Sequence, residues 1–142
     1  MKILIDTCVW SLALRRGTEA NLTREEQQIV AALAEAIRDG RVAILGPIRQ
    51  EILSGIKESL QQESSQFEKL LCALEFFPDE PLTTADYEDA ARLFNLCRSR
   101  GLQCGPIDIL LCAVARRRQW SILTSDRALL RCLDIVNIHD RE

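Results

Sequence analysis

The sequence contains a single histidine, no paired-cysteine motif and no long apolar run. His139 lies in a polar C-terminal stretch, where a Ser-His or Cys-His catalytic pair is not expected. No two of the six cysteines are spaced as Cys-x-x-Cys, which excludes a zinc ribbon and a thioredoxin-type redox pair. The apolar runs are shorter than the ~20 residues that a bilayer-spanning helix requires, so we expect no membrane segment.

Glycine-rich nucleotide loops and an excess of positive charge are also missing. Neither Gly-x-Gly-x-x-Gly nor a Gly-Lys-Ser/Thr loop is present, which excludes the common nucleotide-binding folds. The 18 Lys+Arg and 21 Asp+Glu residues give a net charge of −3, so binding to a polyanion needs a local basic face or a metal. An acidic residue at position 6 interrupts any signal-peptide stretch. We therefore expect a cytoplasmic protein with reduced, mostly buried cysteines.

The sequence contains alternating strand and helix patterns in one unit. Its 142 residues, 47% of them hydrophobic, suffice for one core, so we expect a single domain over residues 1–142. Short apolar runs predict strands at residues 3–5, 42–45, 74–77, 121–124 and 135–138. Helices are predicted to begin at Thr7, after the Thr23 to Glu26 capping box, at Gly46, near Phe67, at Thr84, at Pro106 and at Asp126. The alternation predicts an α/β fold with a mainly parallel central sheet flanked by helices on both faces.

Four acidic residues fall at one expected edge of that sheet. Asp6 and Asp126 follow two strands, and Glu51 and Asp108 lie in the first turns of two helices. Because ligands bind outside the carboxyl ends of parallel strands, these carboxylates are expected to converge. Their repulsion, about 4 kcal/mol per pair at ~4 Å and an effective dielectric near 20, calls for a cation. Oxygen ligands indicate Mg²⁺ or Mn²⁺, and such a site predicts a metal-dependent nuclease.

Each acid also has a purely structural interpretation. Asp6 and Asp126 could cap the helices that follow them. Glu51 and Asp108 could be first-turn acids that the helix dipole favours. The joint placement of the four at one edge favours the metal site over four separate caps.

Two further classes of function share this kind of fold. A phosphoacceptor of the response-regulator type needs a lysine late in the chain, and none follows position 69. A catalytically silent protein- or RNA-binding module would keep the fold without a working acidic cluster. The presence of all four acids argues against this alternative.

Four short motifs resemble the PIN domain family and, within it, the VapC ribonuclease toxins of VapBC toxin-antitoxin systems. In chain order they are Ile3-Leu-Ile-Asp6-Thr7, Arg49-Gln-Glu51, Pro106-Ile-Asp108 and Ile122-Leu-Thr124-Ser-Asp126. The resemblance covers nearly the whole chain. It implies a PIN-like three-layer sandwich and a Mg²⁺-dependent endoribonuclease that acts as the toxin of a type II toxin-antitoxin pair.

The resemblance also implies roles for the four acids. Asp6, Glu51, Asp108 and Asp126 are expected to form the catalytic cluster and to hold Mg²⁺, with Mn²⁺ as a substitute. Asp6 and Asp108 would be the main ligands. Glu51 would coordinate through water or orient the attacking water, and Asp126 would help to hold a metal.

Supporting residues and partners follow from the same resemblance. Thr7 and Thr124 match polar positions beside the acids, whereas Cys8 stands where the toxins usually carry Ser or Asn. The candidate RNA contacts are Arg15, Arg16 and Arg49, while residues 116–118 fit a helix C-terminus better. The expected partners are RNA, a second copy in a homodimer, and a VapB-type antitoxin whose tail enters the acidic groove. Trp10 is a candidate for that groove or for the core.

Overall fold

The computed structural model describes residues 1–14, 21–54 and 71–141 as a parallel sheet with surrounding helices. The strands are β1 (Ile3–Ile5), β2 (Val42–Ala43) and β3 (Ser121–Leu123). The helices are α1 (Thr7–Leu14), α2 (Arg24–Arg38), α3 (Gly46–Ser54), α4 (Thr84–Ser99), α5 (Pro106–Arg118) and α6 (Arg127–Arg141). Residues 71–74 add a helical turn. No helix in these ranges is long and apolar enough to cross a membrane.

β1 lies in the middle of the sheet, whose strand order is β2-β1-β3. Both pairings are parallel, with Ile3 opposite Val42 and Leu4 opposite Ile122. Parallel neighbours need long crossover connections, and helices supply them here. The predicted α/β fold with a parallel sheet flanked by helices is therefore confirmed. Leu4 and Ile5 are almost fully buried, which fixes β1 in the core and its carboxyl end at the centre of one sheet edge.

Local capping signals account for the helix boundaries that the sequence predicts well. The Thr23 side chain accepts a hydrogen bond from the Glu26 amide, and the Glu26 carboxylate accepts one from the Thr23 amide, which forms the predicted capping box of α2. A second box, between Thr83 and Asp86, starts α4. Pro106 occupies the first turn of α5, where its missing N–H is harmless.

α5 is the central helix of the domain. Residues 109–115 are all buried, and the helix packs against α4, α6 and β3. Full burial of each large apolar side chain in this run contributes roughly 1.5–3 kcal/mol. The helix that carries Asp108 is therefore held firmly on several sides.

Two predicted strands are wrong. Residues 74–77 form the end of a helical turn and the turn after it, and only Asp79 makes a bridge, to Ile44. Residues 135–138 belong to α6, which continues to Arg141 because Leu129, Cys132 and Val136 follow helical spacing and are all buried. The predicted helix start near Phe67 lies outside the described residues.

The expectation that the cysteines are reduced and mostly buried is also corrected. Cys104, in the loop before α5, forms a disulfide with Cys132 on α6. The two lie 28 positions apart, and the packing of α6 against α5 brings them together. Cys97 and Cys112 are buried free thiols as expected, whereas Cys72 is exposed.

Candidate metal centre at the carboxyl edge of the sheet

Asp6 is the buried centre of the candidate site. Its amide donates to the Leu123 carbonyl at 3.1 Å, which extends the pairing of β1 with β3 by one residue and fixes the Asp6 backbone. Its side chain is only 5% exposed. One carboxylate oxygen accepts the Thr7 amide at 2.8 Å and the other accepts the Thr124 hydroxyl at 2.7 Å. The Asp6 carboxylate is thus held in one orientation at the start of α1.

Thr7 connects Asp6 to Glu51. The Thr7 hydroxyl donates to Glu51 Oε1 at 2.7 Å, across 44 positions of sequence. Glu51 projects from α3, the helix that follows β2, and is exposed. Because α1 and α3 pack together, the first turn of one and the second turn of the other meet at the same rim. The two predicted site residues on these helices are therefore brought together through one hydroxyl.

Thr124 makes the corresponding connection to Asp126. The Thr124 hydroxyl that donates to Asp6 also accepts the Asp126 amide at 3.0 Å. The Asp126 carboxylate accepts the Ala128 amide at 2.9 Å, so this residue caps α6, as its structural interpretation predicts. One carboxylate oxygen of Asp126 is used by the cap. The cap holds the Asp126 side chain beside the other three acids, and its second carboxylate oxygen is not used by the cap.

Asp108 lies in the first turn of α5 and is half-buried. Gly105 precedes this helix and lies beside the carboxylate, since a Cβ at that position would make van der Waals contact with Asp108 Oδ2 at 3.4 Å. Burial raises the pKa of Asp108 to about 6, with smaller contributions from the charges of the other three acids, Asp6, Asp126 and Glu51. The carboxylate of Asp108 therefore lies within electrostatic reach of all three.

Nothing in the described part of the chain neutralises this cluster. No Lys or Arg there forms an ion pair with any of the four acids, and no described group donates a hydrogen bond to the Asp108 carboxylate. Several carboxylates in a partly buried site repel one another unless a cation or a proton intervenes. The high pKa of Asp108 is the direct consequence of this repulsion and of burial.

The donor set fits a hard divalent cation. All four candidates offer carboxylate oxygens, the ligands that Mg²⁺ and Mn²⁺ prefer. Within the described residues, no three of these carboxylates have oxygens that lie mutually within 4.8 Å. Mg²⁺ usually keeps several waters and binds through one or two carboxylates, so this loose arrangement suits a hydrated ion. Asp6 and Asp108 are the best placed to bind directly, because both are withdrawn from solvent.

Of the three arginines that are predicted to contact RNA, the structure describes Arg49 alone, and its guanidinium binds within the chain. Arg49 donates to Asp79 at 2.7 Å, to the Leu74 carbonyl at 3.2 Å and to the Phe77 carbonyl, so its guanidinium anchors the segment at residues 74–79. Arg15 and Arg16 lie outside the described residues. RNA contact by these three arginines stays a prediction. The hydrogen bonds of Arg49 also give this residue a structural role.

Two polar neighbours of the cluster carry little signal in the sequence. The Cys8 thiol lies 3.4 Å from Asp6 Oδ2 and 3.5 Å from the Thr124 hydroxyl, and Ser125 donates to its sulfur at 3.4 Å. Cys8 therefore occupies a place in the hydrogen-bond network despite its departure from the usual Ser or Asn. The sequence signal for Cys8 is its position two residues after Asp6, in the first turn of α1. The sequence signal for Ser125 is only its position next to Thr124.

Comparisons with known proteins agree with the fold. The model of the PIN domain family matches residues 3–132. FitAcB from Neisseria gonorrhoeae has a similar structure, with a TM-score of 0.73 and 19% identity over 93% of both chains. VapBC2 from Rickettsia felis, solved with a DNA fragment from its promoter, gives a TM-score of 0.68 and 16% identity over 92% of both chains. A comparison with curated proteins finds no match.

Proposed function

Because the chain belongs to the PIN domain family, whose members are generally nucleases, we propose that it is a metal-dependent endoribonuclease and the toxin of a type II toxin-antitoxin pair. It would act in the cytoplasm, where cellular RNA is the substrate. The observation that carries the nuclease proposal is the cluster of four carboxylates that no described Lys or Arg neutralises.

In this proposal Asp6 and Asp108 hold a divalent cation, Mg²⁺ in the cell and Mn²⁺ as a substitute. A bound cation of this kind lowers the pKa of water and stabilises charge on the leaving oxygen of a phosphodiester. Asp126 adds negative charge that strengthens cation binding. Its own position depends on the α6 cap and on Thr124.

Glu51 is the proposed group for the attacking water. It is exposed at the rim, and the Thr7 hydroxyl holds one of its oxygens at 2.7 Å. The other oxygen is left to accept a hydrogen bond from water and to orient that water toward a phosphodiester. Thr7 and Thr124 are positioning residues in this scheme, because each fixes a carboxylate and neither needs to touch the RNA.

An antitoxin partner is supported by the form of the similar structures. VapBC2 is a two-component assembly bound to a fragment of its own promoter. In the present chain a cavity of about 810 Å³ lies between α1, α2 and residues 73–78, lined by Trp10, Leu33, Ala43 and Phe77 among others. Phe76 at its rim is 77% exposed, and the buried Trp10 Nε1 has no hydrogen-bond partner within the described structure. We propose that an apolar segment of a VapB-type antitoxin packs into this cavity and covers Phe76. Homodimerisation of the toxin is a further part of the proposal.

The test of the nuclease proposal is cleavage of total cellular RNA by purified, antitoxin-free protein with Mg²⁺ or Mn²⁺. We expect discrete cuts that disappear with EDTA and in the Asp6→Asn and Asp108→Asn variants. Asp134→Asn is the matched control, because this exposed acid on α6 lies outside the cluster. A single-stranded DNA of matched sequence tests the preference for RNA. Folded, metal-loaded protein that cuts nothing, or Asn variants that cut like the wild type, would instead favour the silent binding module.

The test of the partner proposal uses the product of a small open reading frame adjacent to the gene. Co-expressed with this chain, it should copurify with the wild type and suppress cleavage. Phe76→Ala should weaken the complex and leave cleavage by the free toxin unchanged. Tyr87→Ala on α4 is the matched control, because it removes an exposed aromatic ring away from the cavity.

A further inference from the structure

Three cysteine sulfurs lie together in the core, apart from the acidic cluster. Cys97 at the end of α4, Cys104 before α5 and Cys132 on α6 have sulfur atoms that all lie within 4.8 Å of one another. Their exposed fractions are 0%, 4% and 1%. Cys104 and Cys132 form the disulfide, and Cys97 is a free thiol beside it. The group therefore contains one sulfur more than a disulfide uses.

The chemistry of three adjacent sulfurs is that of a soft-metal site. Thiolates select soft or borderline cations such as Cu⁺ and Zn²⁺ over Mg²⁺. Once the disulfide opens, the three sulfurs are close enough to share one ion, because sulfurs that bind one cation at about 2.3 Å stand roughly 4 Å apart, within the 4.8 Å that encloses all three. Among the described residues no fourth His, Cys, Asp or Glu completes this group. A three-sulfur site is thus what the side chains offer.

We propose that Cys97, Cys104 and Cys132, in the reduced protein, form a binding site for one thiophilic cation, and that the disulfide is its metal-free, oxidised form. Opening the disulfide takes two electrons and two protons from a dithiol or phosphine reductant, which is itself oxidised, and gives two thiols. Each thiol that then binds the cation releases its proton to solvent. The proposal does not depend on nuclease activity.

The location gives this site a structural consequence. Cys104 precedes Gly105, the residue next to the Asp108 carboxylate, and Cys132 lies on the helix that Asp126 caps. Either a disulfide or a shared cation would tie the loop before α5 to α6. Both forms would therefore keep the elements that carry Asp108 and Asp126 together, and the reduced, metal-free form alone would lack this tie.

The experiment titrates Cd²⁺ into phosphine-reduced protein and follows the ultraviolet sulfur-to-cadmium charge-transfer band, which carboxylates do not produce. We expect the band to saturate at one Cd²⁺ per chain. Untreated, disulfide-bonded protein should bind no Cd²⁺ in this way.

Variants locate the ion. Cys97→Ser keeps the Cys104–Cys132 pair, so it is the variant that disturbs the fold least, and it should lose at least a third of the band and bind Cd²⁺ more weakly. Cys72→Ser and Cys8→Ser should leave the titration unchanged, since one is exposed and the other lies beside Asp6. Circular dichroism checks that each variant is folded. A folded, reduced wild type without the band, a Cys97→Ser band equal to that of the wild type, or loss of the band in Cys8→Ser would each overturn the proposal.

Discussion

Two carboxylates near the starts of neighbouring helices, Asp86 on α4 and Asp108 on α5, have opposite electrostatic surroundings. Asp86 is 1% exposed and accepts hydrogen bonds from Arg117 at 3.0 Å and from Arg118 at 2.9 and 3.0 Å, besides the Thr83 amide. Hydrogen bonds from Arg118 hold its pKa well below the ordinary range. Burial and three neighbouring acids instead raise the pKa of Asp108 to about 6.

In our proposal this difference separates a structural charge, Asp86, from a functional one, Asp108. The charge of Asp86 is matched within the chain, and the matching ties α4 to the end of α5. The charge of Asp108 is matched by no described Lys or Arg, and in our proposal a bound cation matches it. Burial alone does not distinguish the role of Asp86 from that of Asp108. The charged groups around each of them do.

The largest effect is expected on cleavage when the unmatched charge is removed. Asp108→Asn should lower the rate of RNA cleavage by at least about 10²-fold, because a catalytic cation contributes several kcal/mol to transition-state stabilisation. The melting temperature of the metal-free protein should stay equal or rise, since a repelling charge is lost. A large fall in melting temperature would show that Asp108 is a structural charge like Asp86.

The next effect is expected on stability when the matched charge is removed. Asp86→Asn should lower the free energy of unfolding by about 3 kcal/mol, because it removes a buried charge and leaves the mostly buried guanidinium of Arg118 partly unpaired. Urea unfolding measures the change. Asp89→Asn is the control: Asp89 also pairs with Arg117 but is more exposed, so we expect about 1 kcal/mol or less. Equal urea midpoints for Asp86→Asn and the wild type would show that Asp86 does not stabilise the fold as a matched charge.

The two carboxylates should also respond to pH in opposite directions. The pKa of Asp108 is about 6 in the folded chain against an ordinary 3.8, so its protonated form is favoured by folding. Its contribution to stability is therefore present at low pH and is lost as the pH rises through about 6. The contribution of Asp86 is present above its ordinary pKa and is lost only in strong acid.

Melting temperatures of wild type, Asp108→Asn and Asp86→Asn, measured in EDTA across this range, test the prediction. Relative to Asp108→Asn, the wild type should lose stability as the pH rises through 6 and should change little above it. Cation binding should weaken below the same pH, where protons compete for the carboxylate. A constant difference between wild type and Asp108→Asn across the range would contradict the raised pKa.

The smallest effect separates the two uses of Asp126. Asp126→Ala removes the α6 cap and should lower the free energy of unfolding by about 1 kcal/mol, whereas Asp126→Asn keeps a capping oxygen and should change it little. Both variants should weaken cation binding if the charge of Asp126 contributes to the cluster. Cleavage by Asp126→Asn at the wild-type rate would leave the residue with its cap alone.

Local signals explain how much of this structure could be predicted from the sequence. The start of α2 follows from Thr23 and Glu26, and Asp6 follows from a short apolar strand, because each depends on neighbouring residues. The tie of Arg49 to Asp79 and the pairing of Cys104 with Cys132 depend on tertiary packing, and no local pattern reveals them. The apolar run at residues 135–138 predicts a strand, which is wrong because a short run does not distinguish a strand from one buried face of a helix.

The most direct test is Mn²⁺ binding at neutral pH, followed by the loss of the free-ion electron paramagnetic resonance signal. Wild type and Asp86→Asn, the latter at a temperature where it is folded, should bind Mn²⁺, with Mg²⁺ in competition. Asp6→Asn and Asp108→Asn should bind at least about tenfold more weakly. Equal binding by all four proteins, or none by the folded wild type, would contradict the assignment of the unmatched carboxylates to a cation site.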